Sequence, residues 1–206
     1  MRPLLNGGTL GGRRKRMSLV EHLKRHLGED DDKSAPAWTF PDLGFGILTY
    51  RDQPVRGATT YLTVGLSRHV LSQASGKPIS QELLMSVRTD TKNVRPEMSL
   101  ASLAHDFLER HVPIPDGQVI GWHGGVFPGS RFTAIFCTSA RYFPSEFERT
   151  DGDPPVVFVW LVPITQGEAM YCRTHGHSAF EELLLTQDPD LLDLERAELS
   201  LPCSAT

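Results

Sequence analysis

The sequence has 206 residues, of which 39% are hydrophobic, and it carries a formal net charge of −4. This length suits one core of ordinary size. No apolar run approaches the roughly 20 residues that a membrane helix needs. The three cysteines (Cys137, Cys172 and Cys203) form no CxxC pair and no disulfide framework, so we expect reduced thiols in a cytoplasmic protein.

The charge is distributed unevenly along the chain. Residues 1–16 contain five Arg or Lys residues and no acid, so the difference between −4 and +5 leaves −9 on residues 17–206. An acidic body disfavours direct nucleic-acid binding and favours a basic partner. The simpler interpretation is that a negative surface keeps the protein soluble.

The first 16 residues have the composition of a disordered leader. Their apolar part is short, is interrupted by Gly and precedes the basic cluster, which is the wrong order for a secretory signal. We expect translation to start at Met17. A basic arm that contacts an acidic molecule is the alternative.

A helix is predicted directly after Met17. Ser18 suits the N-cap position and Gly28 suits the end of the helix. The apolar face between them consists of Leu19, Val20, Leu23 and Leu27. His22 and His26 lie off this stripe, so we expect them on the solvated face of the helix.

Strands dominate the next part of the chain. The predicted strands cover residues 38–40, 45–50, 59–67 and 82–88. A hairpin turn is expected at 54–57 and a loop at 72–80. A second helix is predicted over 99–112, with Ser99 as a cap and two prolines after it.

A Gly-rich loop at 121–129 lies between short strands predicted at 118–120 and 132–138. A phosphate-binding loop would be followed by a helix, whereas this loop is followed by a strand. We therefore expect a tight, hairpin-like loop. A small-molecule binder or enzyme that uses this loop is the third functional alternative. Residues 143–155 are predicted to be a longer loop with exposed aromatic and acidic side chains.

Seven consecutive apolar residues, 156–162, predict a strand that is covered on both faces near the middle of a sheet. Pro163 lacks an N–H, and we expect it to end the ladder. Thr165 and Glu168 have the spacing of a capping box, which predicts a helix directly after the strand.

The last part of the chain is predicted to contain two helices and a tail. The helix that starts at Thr165 is predicted to end at Gly176, and Ser178 is predicted to cap a last helix. Residues 196–206 are predicted to fray. Because several strands follow one another without crossovers, the fold class is α+β, with a mostly antiparallel or mixed central sheet and helices packed on it.

No motif predicts catalytic, cofactor or metal chemistry. Cys172 and His175 lie one helical turn apart and could hold a metal, but no second ligand pair is present. Cys137 lies inside an apolar strand and is expected in the core. We therefore predict no enzyme, no cofactor and no metal.

Aromatic and acidic side chains in loops are the candidates for partner contacts, because buried aromatic anchors and complementary charge are typical of interfaces. The predicted contact residues are Trp122, Phe127, Phe143, Glu146, Glu148, Asp151 and Asp153. The alternatives are that the aromatics pack as lids over the core and that the acids are simply solvated.

Residues along most of the chain resemble the suppressor of fused-like domain family. The similarity covers residues 17–195 and rests on motifs at 62–67, 82–85, 161–168, 171–176, 179–184 and 188–193. The upstream pair consists of a Thr-x-Gly-x-Ser strand and a Glu-Leu strand. These motifs are mostly structural residues, so they identify a fold better than an activity.

The resemblance implies a non-enzymatic, protein-binding domain. In animals, the family member restrains a zinc-finger transcription factor of the Hedgehog pathway by clasping a peptide between two domains, of which this chain resembles the first. Bacterial relatives with this domain alone are thought to be immunity proteins that neutralise toxins. We therefore expect an immunity protein with a basic toxin partner, and a regulatory or scaffold protein that sequesters an endogenous partner is the alternative.

Overall fold

The computed structural model describes residues 17–28, 38–73 and 75–202, so the predicted leader and Cys203 lie outside it. The helices are α1 (Leu19–Leu27), α2 (Pro96–Arg110), α3 (Gln166–His175) and α4 (His177–Gln187). The strands are β1 (Trp38–Phe40), β2 (Phe45–Arg51), β3 (Ala58–Val64), β4 (Leu71–Ser72), β5 (Pro78–Arg88), β6 (Val119–Gly121), β7 (Phe132–Ser139) and β8 (Val156–Thr165).

The strands form one mixed sheet in the order β1-β2-β3-β5-β8-β7-β6, and β4 pairs with the start of β5. The pairing of β5 with β8 is parallel and runs from Ser80–Val156 to Leu84–Trp160. The other pairs are antiparallel. The predicted α+β class with a mixed sheet is therefore confirmed.

Strand β8 lies in the middle of the sheet, as its apolar run predicts. Val157, Val159 and Leu161 face the core under α2. Phe158, Trp160 and Val162 face the core under α1, α3 and α4. The sheet thus lies between two helical layers, and both of its faces carry core residues.

Pro163 does not end the strand. It pairs with Ile135, and β8 continues to Thr165. The pairing of β8 with β5 ends at Trp160, so the missing N–H of Pro163 removes no hydrogen bond between these two strands. The carbonyl of Pro163 accepts a hydrogen bond from Arg196 Nη2 at 3.3 Å.

Two helices begin earlier than predicted. Helix α2 starts at Pro96, a residue whose fixed φ suits the first helical position. Ser99 is inside this helix, where its hydroxyl donates to the carbonyl of Val126. Helix α4 starts at His177 rather than after Ser178, because Gly176 is both the C-cap of α3 and the N-cap of α4.

The loop predicted at 72–80 is shorter in the structure. β4 ends at Ser72, and β5 already begins at Pro78, which pairs with Ser72. Strand β5 is therefore four residues longer at its start than the pattern from Glu82 indicates. These added residues include Gln81, which is important for the site described below.

His22 is buried, with only 1% of its surface exposed, and the prediction of a solvated position is wrong. Its Nε2 lies 3.0 Å from the carbonyl oxygen of Phe147, and its ring stacks on Phe158. His26 is partly buried beside it, with ring centroids 4.6 Å apart. The face of α1 that carries His22 packs against the sheet, because it meets an aromatic cluster and the carbonyl of Phe147 there. Val20 remains exposed.

The segment after α4 is ordered against the body of the protein. Arg196 and Leu199 are buried, and the exposed Ser200 exchanges two hydrogen bonds with the side chain of Gln187. The predicted fraying therefore does not describe residues 196–200, and residues 203–206 lie outside the described part. No helix in the described part of the chain is both long and apolar enough to cross a bilayer.

Candidate functional site

A groove of about 950 Å³ opens at the edge of the sheet where β5 and β8 begin. Its floor is apolar and includes Ile79, Val157 and Val159. Residues 112–116, which follow α2, form one wall, and Ser72 at the end of β4 also lines the groove. A concave, mostly apolar site with a few polar groups at its rim is typical of binding sites in proteins.

The wall at 112–116 is held in place by one side chain from the sheet. The amide of Gln81, which is buried, donates from Nε2 to the carbonyl of Ile114 at 2.8 Å. Its Oε1 accepts from the N–H of Ile114 at 2.9 Å. Gln81 thus pairs with the backbone of the wall as a neighbouring strand would. Pro113 and Pro115 restrict the same segment further.

A second cavity of about 380 Å³ lies on the other side of this wall, between α2 and β6. Residues 112–114 and Gln118 line both cavities. They therefore form a ridge between two depressions. Val112, at the start of the ridge, is 61% exposed.

The larger groove is acidic at its rim. Asp116 and Glu148 line it, and none of the described residues that line it is a Lys or Arg. The carboxylate of Asp116 accepts a hydrogen bond from the N–H of Ser139 at 3.1 Å. The backbone carbonyl of Glu148 accepts from Phe158 N–H at 3.0 Å, which fixes the start of the acidic loop to β8.

The predicted contact acids lie on this loop. Glu148 lines the groove, whereas Glu146, Asp151 and Asp153 are exposed on either side of it. The structure thus brings one predicted acid, Glu148, to a cavity that the sequence did not reveal, and the other three lie on the same loop outside its lining. Their contact with a partner stays a prediction.

The predicted contact aromatics lie elsewhere. Trp122 is half-buried and packs on the core under α2, and Phe127 is buried in that core. Phe143 is buried on the opposite face, where its ring stacks on Phe147 with centroids 4.6 Å apart. The prediction of exposed aromatics is wrong for Phe143 and Phe147, because both rings cover the core under α1.

The Gly-rich loop joins β6 to β7, which pair as an antiparallel hairpin. The predicted hairpin-like loop is therefore confirmed. A Cβ added to Gly125 would lie 3.1 Å from the carbonyl oxygen of Phe127 and 3.2 Å from that of Ser130, so this turn is tight. Within the described part of the chain, neither cavity is lined by residues 121–129.

Buried Glu82 organises the turn that follows β3. Its Oε1 accepts from the N–H groups of Gly65 and Ser67 at 2.9 and 3.0 Å, and its Oε2 accepts from the Thr63 hydroxyl at 2.7 Å. Burial raises the pKa of Glu82, and these hydrogen bonds oppose that rise. Both carboxylate oxygens are thus engaged within the fold, which gives this residue a structural role.

A second buried carboxylate, Glu168, closes the corner between β8 and α3. It completes the predicted capping box with Thr165, and it receives Arg196 Nη1 and Nη2 at 2.7 and 2.8 Å. Leu199 N–H donates to the same carboxylate at 3.1 Å. Burial opposes ionisation, but the hydrogen bonds and charge of Arg196 outweigh it and lower the pKa of Glu168.

The cysteines and histidines singled out by the sequence do not form a site together. Cys172 is buried, whereas His175 is exposed. Cys137 is in the core, as predicted, and burial raises the pKa of its thiol to about 12. A thiol with that pKa stays protonated and is a poor nucleophile. His105, Asp106 and Glu109 bring ligand atoms within 4.8 Å of one another, but all three are exposed on α2.

These features define an α+β domain whose buried carboxylates, Glu82 and Glu168, serve the fold and which carries an apolar groove lined by Asp116 and Glu148. The chain belongs to the suppressor of fused protein (SUFU) family, because the model of that family matches residues 42–197. The Thr63, Gly65, Ser67 and Glu82 cluster and the Glu168 corner lie within the matched region.

Comparisons with individual proteins agree with this family. The chain is 22% identical over 153 residues to immunity protein YqcF of Bacillus subtilis (strain 168), which covers 73% of this chain and 79% of that protein. A crystal structure of a SUFU homologue from Neisseria gonorrhoeae FA 1090 superposes with a TM-score of 0.68 at 21% identity, over 87% of this chain and 93% of that one.

Two further structures share the fold at lower identity. The Sufu–Fu complex matches with a TM-score of 0.64 at 14% identity, over 87% of this chain and 89% of that chain. Drosophila Suppressor of Fused matches with a TM-score of 0.55 at 14% identity, over 75% of this chain and only 42% of that chain. This chain therefore spans less than half of the Drosophila protein.

Proposed function

We propose that this protein is a non-catalytic binding protein that neutralises a bacterial toxin by direct, stoichiometric contact. The observation that carries the proposal is the similarity to immunity protein YqcF, which extends over 79% of that protein. Together with the SUFU domain, this similarity supports a protein-interaction role.

The charge and the groove support a basic partner. Residues 17–206 carry −9, by the difference between −4 for the chain and +5 for residues 1–16. Part of this charge lies beside the groove of about 950 Å³, because Glu148 lines it and Glu146, Asp151 and Asp153 lie on the same loop, together with Arg149. A negative field of this kind steers a basic protein towards the site and accelerates association.

The proposal is tested by capture followed by a viability assay. The full chain, tagged at its N-terminus, is expressed in its native host, and proteins retained at moderate salt are identified. Each retained protein is then expressed in a laboratory strain with and without this chain. We expect one basic partner that is lethal alone and harmless in a 1:1 complex. Lethality that persists in the presence of the chain would overturn the proposal.

A regulatory protein that sequesters an endogenous partner is the second candidate. The observation in its favour is the structural similarity to the chain in the Sufu–Fu complex, at a TM-score of 0.64. In the same experiment, this candidate predicts a stoichiometric partner that is harmless when expressed alone. The viability arm therefore separates the two functions.

A further inference from the structure

We propose that the groove between residues 112–116 and the starts of β5 and β8 binds an extended segment of the partner in which apolar side chains adjoin Lys or Arg. This inference rests on the proposed function, since it names the part of the partner that is recognised. It follows from the shape, the lining and the charge of the groove.

The shape of the groove fits several side chains of a peptide. Its volume of about 950 Å³ lies at the upper end of the range that is usual for pockets that bind small molecules, roughly 300–1,000 Å³. The ridge at 112–114 separates this groove from the second cavity of about 380 Å³. A segment that crosses this ridge would place successive side chains in both depressions.

The lining demands apolar side chains from the ligand. Ile79 and Val159 at the floor are already buried, so half-buried Val157 and Val112, which is 61% exposed on the ridge, are among the apolar lining residues that a partner can still cover. Their burial beneath a partner contributes free energy in proportion to the apolar area that leaves water. A ligand with only charged side chains would leave this apolar area exposed to water.

The rim demands positive charge. Asp116 and Glu148 are the ionisable groups among the described residues that line the larger groove. Exposed Glu146, Asp151 and Asp153 add negative charge along the adjoining loop, where Arg149 offsets one of these charges. An acidic segment would be repelled by these groups, whereas Lys or Arg beside an apolar anchor satisfies both the floor and the rim.

The site is preformed, which lowers the cost of binding. Gln81 holds the wall through two hydrogen bonds to Ile114, and prolines at 113 and 115 restrict its backbone. A wall that is already fixed loses little conformational entropy when a ligand arrives.

The probe is a random ten-residue peptide library displayed on phage and selected against the full-length protein. We expect the enriched peptides to carry a net positive charge and at least two large apolar residues. Their affinities are then measured by fluorescence anisotropy with labelled synthetic peptides. Enrichment of neutral or acidic peptides, or no enrichment, would overturn the inference.

Two matched double variants test whether the selected peptides bind in the groove. Asp116→Asn with Glu148→Gln keeps the shape of the rim, and Asn can still accept from Ser139. We expect this double variant to weaken binding about tenfold at low salt. The control, Glu182→Gln with Glu195→Gln, makes the same change in net charge at exposed acids that line neither cavity, and it should change affinity less than twofold. Equal effects of the two double variants would reject the groove.

The failures of the two proposals are distinguishable. If the groove variants protect against the captured toxin as well as the wild type does, the proposed function stands and the groove inference falls. If the library gives basic, apolar peptides that bind the groove but no captured protein is lethal, the groove inference stands and toxin neutralisation falls.

Discussion

The side chain of Gln81 hydrogen-bonds to both backbone groups of Ile114, and this contact joins the sheet to the wall of the groove. The next residue along β5, Glu82, points to the opposite face and organises the turn after β3. Two consecutive residues of one strand therefore fix a loop on each side of the sheet. The geometry of the groove depends directly on the register of β5.

Replacement of Gln81 by Leu should destabilise the protein by about 2–4 kcal/mol, because it leaves the buried N–H and carbonyl of Ile114 without partners. Hydrogen exchange at residues 112–116 should accelerate, since the wall loses its attachment to the sheet. Urea denaturation and exchange measured by mass spectrometry check both effects.

Gln187 provides the control for this prediction. Its exposed amide makes the same pair of hydrogen bonds, to the N–H and carbonyl of Ser200 at 2.8 and 2.9 Å. Water replaces these bonds when they are lost, so Gln187→Leu should cost less than about 1 kcal/mol. Equal losses in the two variants would show that burial of the Gln81 contact is unimportant.

Replacement of Gly65 by Ala should destabilise the protein by about 2–5 kcal/mol, because strain and overpacking act together. The backbone has φ of +118°, and a Cβ would lie 2.6 Å from the carbonyl oxygen of Gly44. Gly57→Ala is the matched control, since φ is +78° but no atom lies within 4 Å of the added Cβ. It should cost about 1–2 kcal/mol. Thermal unfolding that ranks the two variants in the opposite order would contradict this account.

Replacement of Arg196 by Met should destabilise the protein by about 3–5 kcal/mol, because it leaves the buried carboxylate of Glu168 uncompensated. The pKa of Glu168 should rise at the same time. Arg88, which pairs with Asp190 at the surface, is the control, and Arg88→Met should cost less than about 1 kcal/mol. Urea denaturation at neutral pH measures both, and a loss near 1 kcal/mol for Arg196→Met would refute the uncompensated-charge argument.

The protein should lose stability through His22 as the pH falls below about 6.5. Burial lowers the pKa of His22, and the hydrogen bond to the Phe147 carbonyl only partly offsets this. In that pH range the unfolded chain takes up a proton that the folded chain resists, so acid favours unfolding. Above about pH 6.5 both states are neutral at this residue and the effect disappears.

The measurement compares urea midpoints at about pH 8 and about pH 5.5, on either side of the ordinary histidine pKa. His22→Phe should be less stable at the higher pH, because it loses the bond to Phe147, but it should depend less on pH than the wild type. His105→Gln, at an exposed position, should retain the wild-type dependence. An unchanged pH dependence in His22→Phe would assign the effect to other groups.

Features set by neighbours in sequence were predictable. The apolar run of β8, the capping box of Thr165 and Glu168, and the Ser18 cap each depend on residues within a few positions of one another. The same locality explains why the α+β class could be predicted. Propensity, caps and hydrophobic runs act before tertiary contacts form.

Features set by distant partners were not predictable. His22 is buried because it meets a carbonyl 125 residues away, and the helical period alone assigns it to the solvated face. Arg196 is buried because Glu168 lies across the corner from it. The groove depends on Gln81 and Ile114, 33 residues apart, and a polar residue between Ser80 and Glu82 near the start of a strand gives no sign of such a contact.

The buried pair of Glu168 and Arg196 also affects when the chain can finish folding during its synthesis. A ribosome makes the carboxylate first, and the guanidinium that neutralises it follows 28 residues later. Until that moment the nascent chain carries an uncompensated carboxylate in the first turn of the helix that follows its central strand, and burial of such a charge is costly. Compaction around β8 is therefore expected to finish only after Arg196 has emerged from the exit tunnel, and stalled chains that stop before it should be sensitive to proteases.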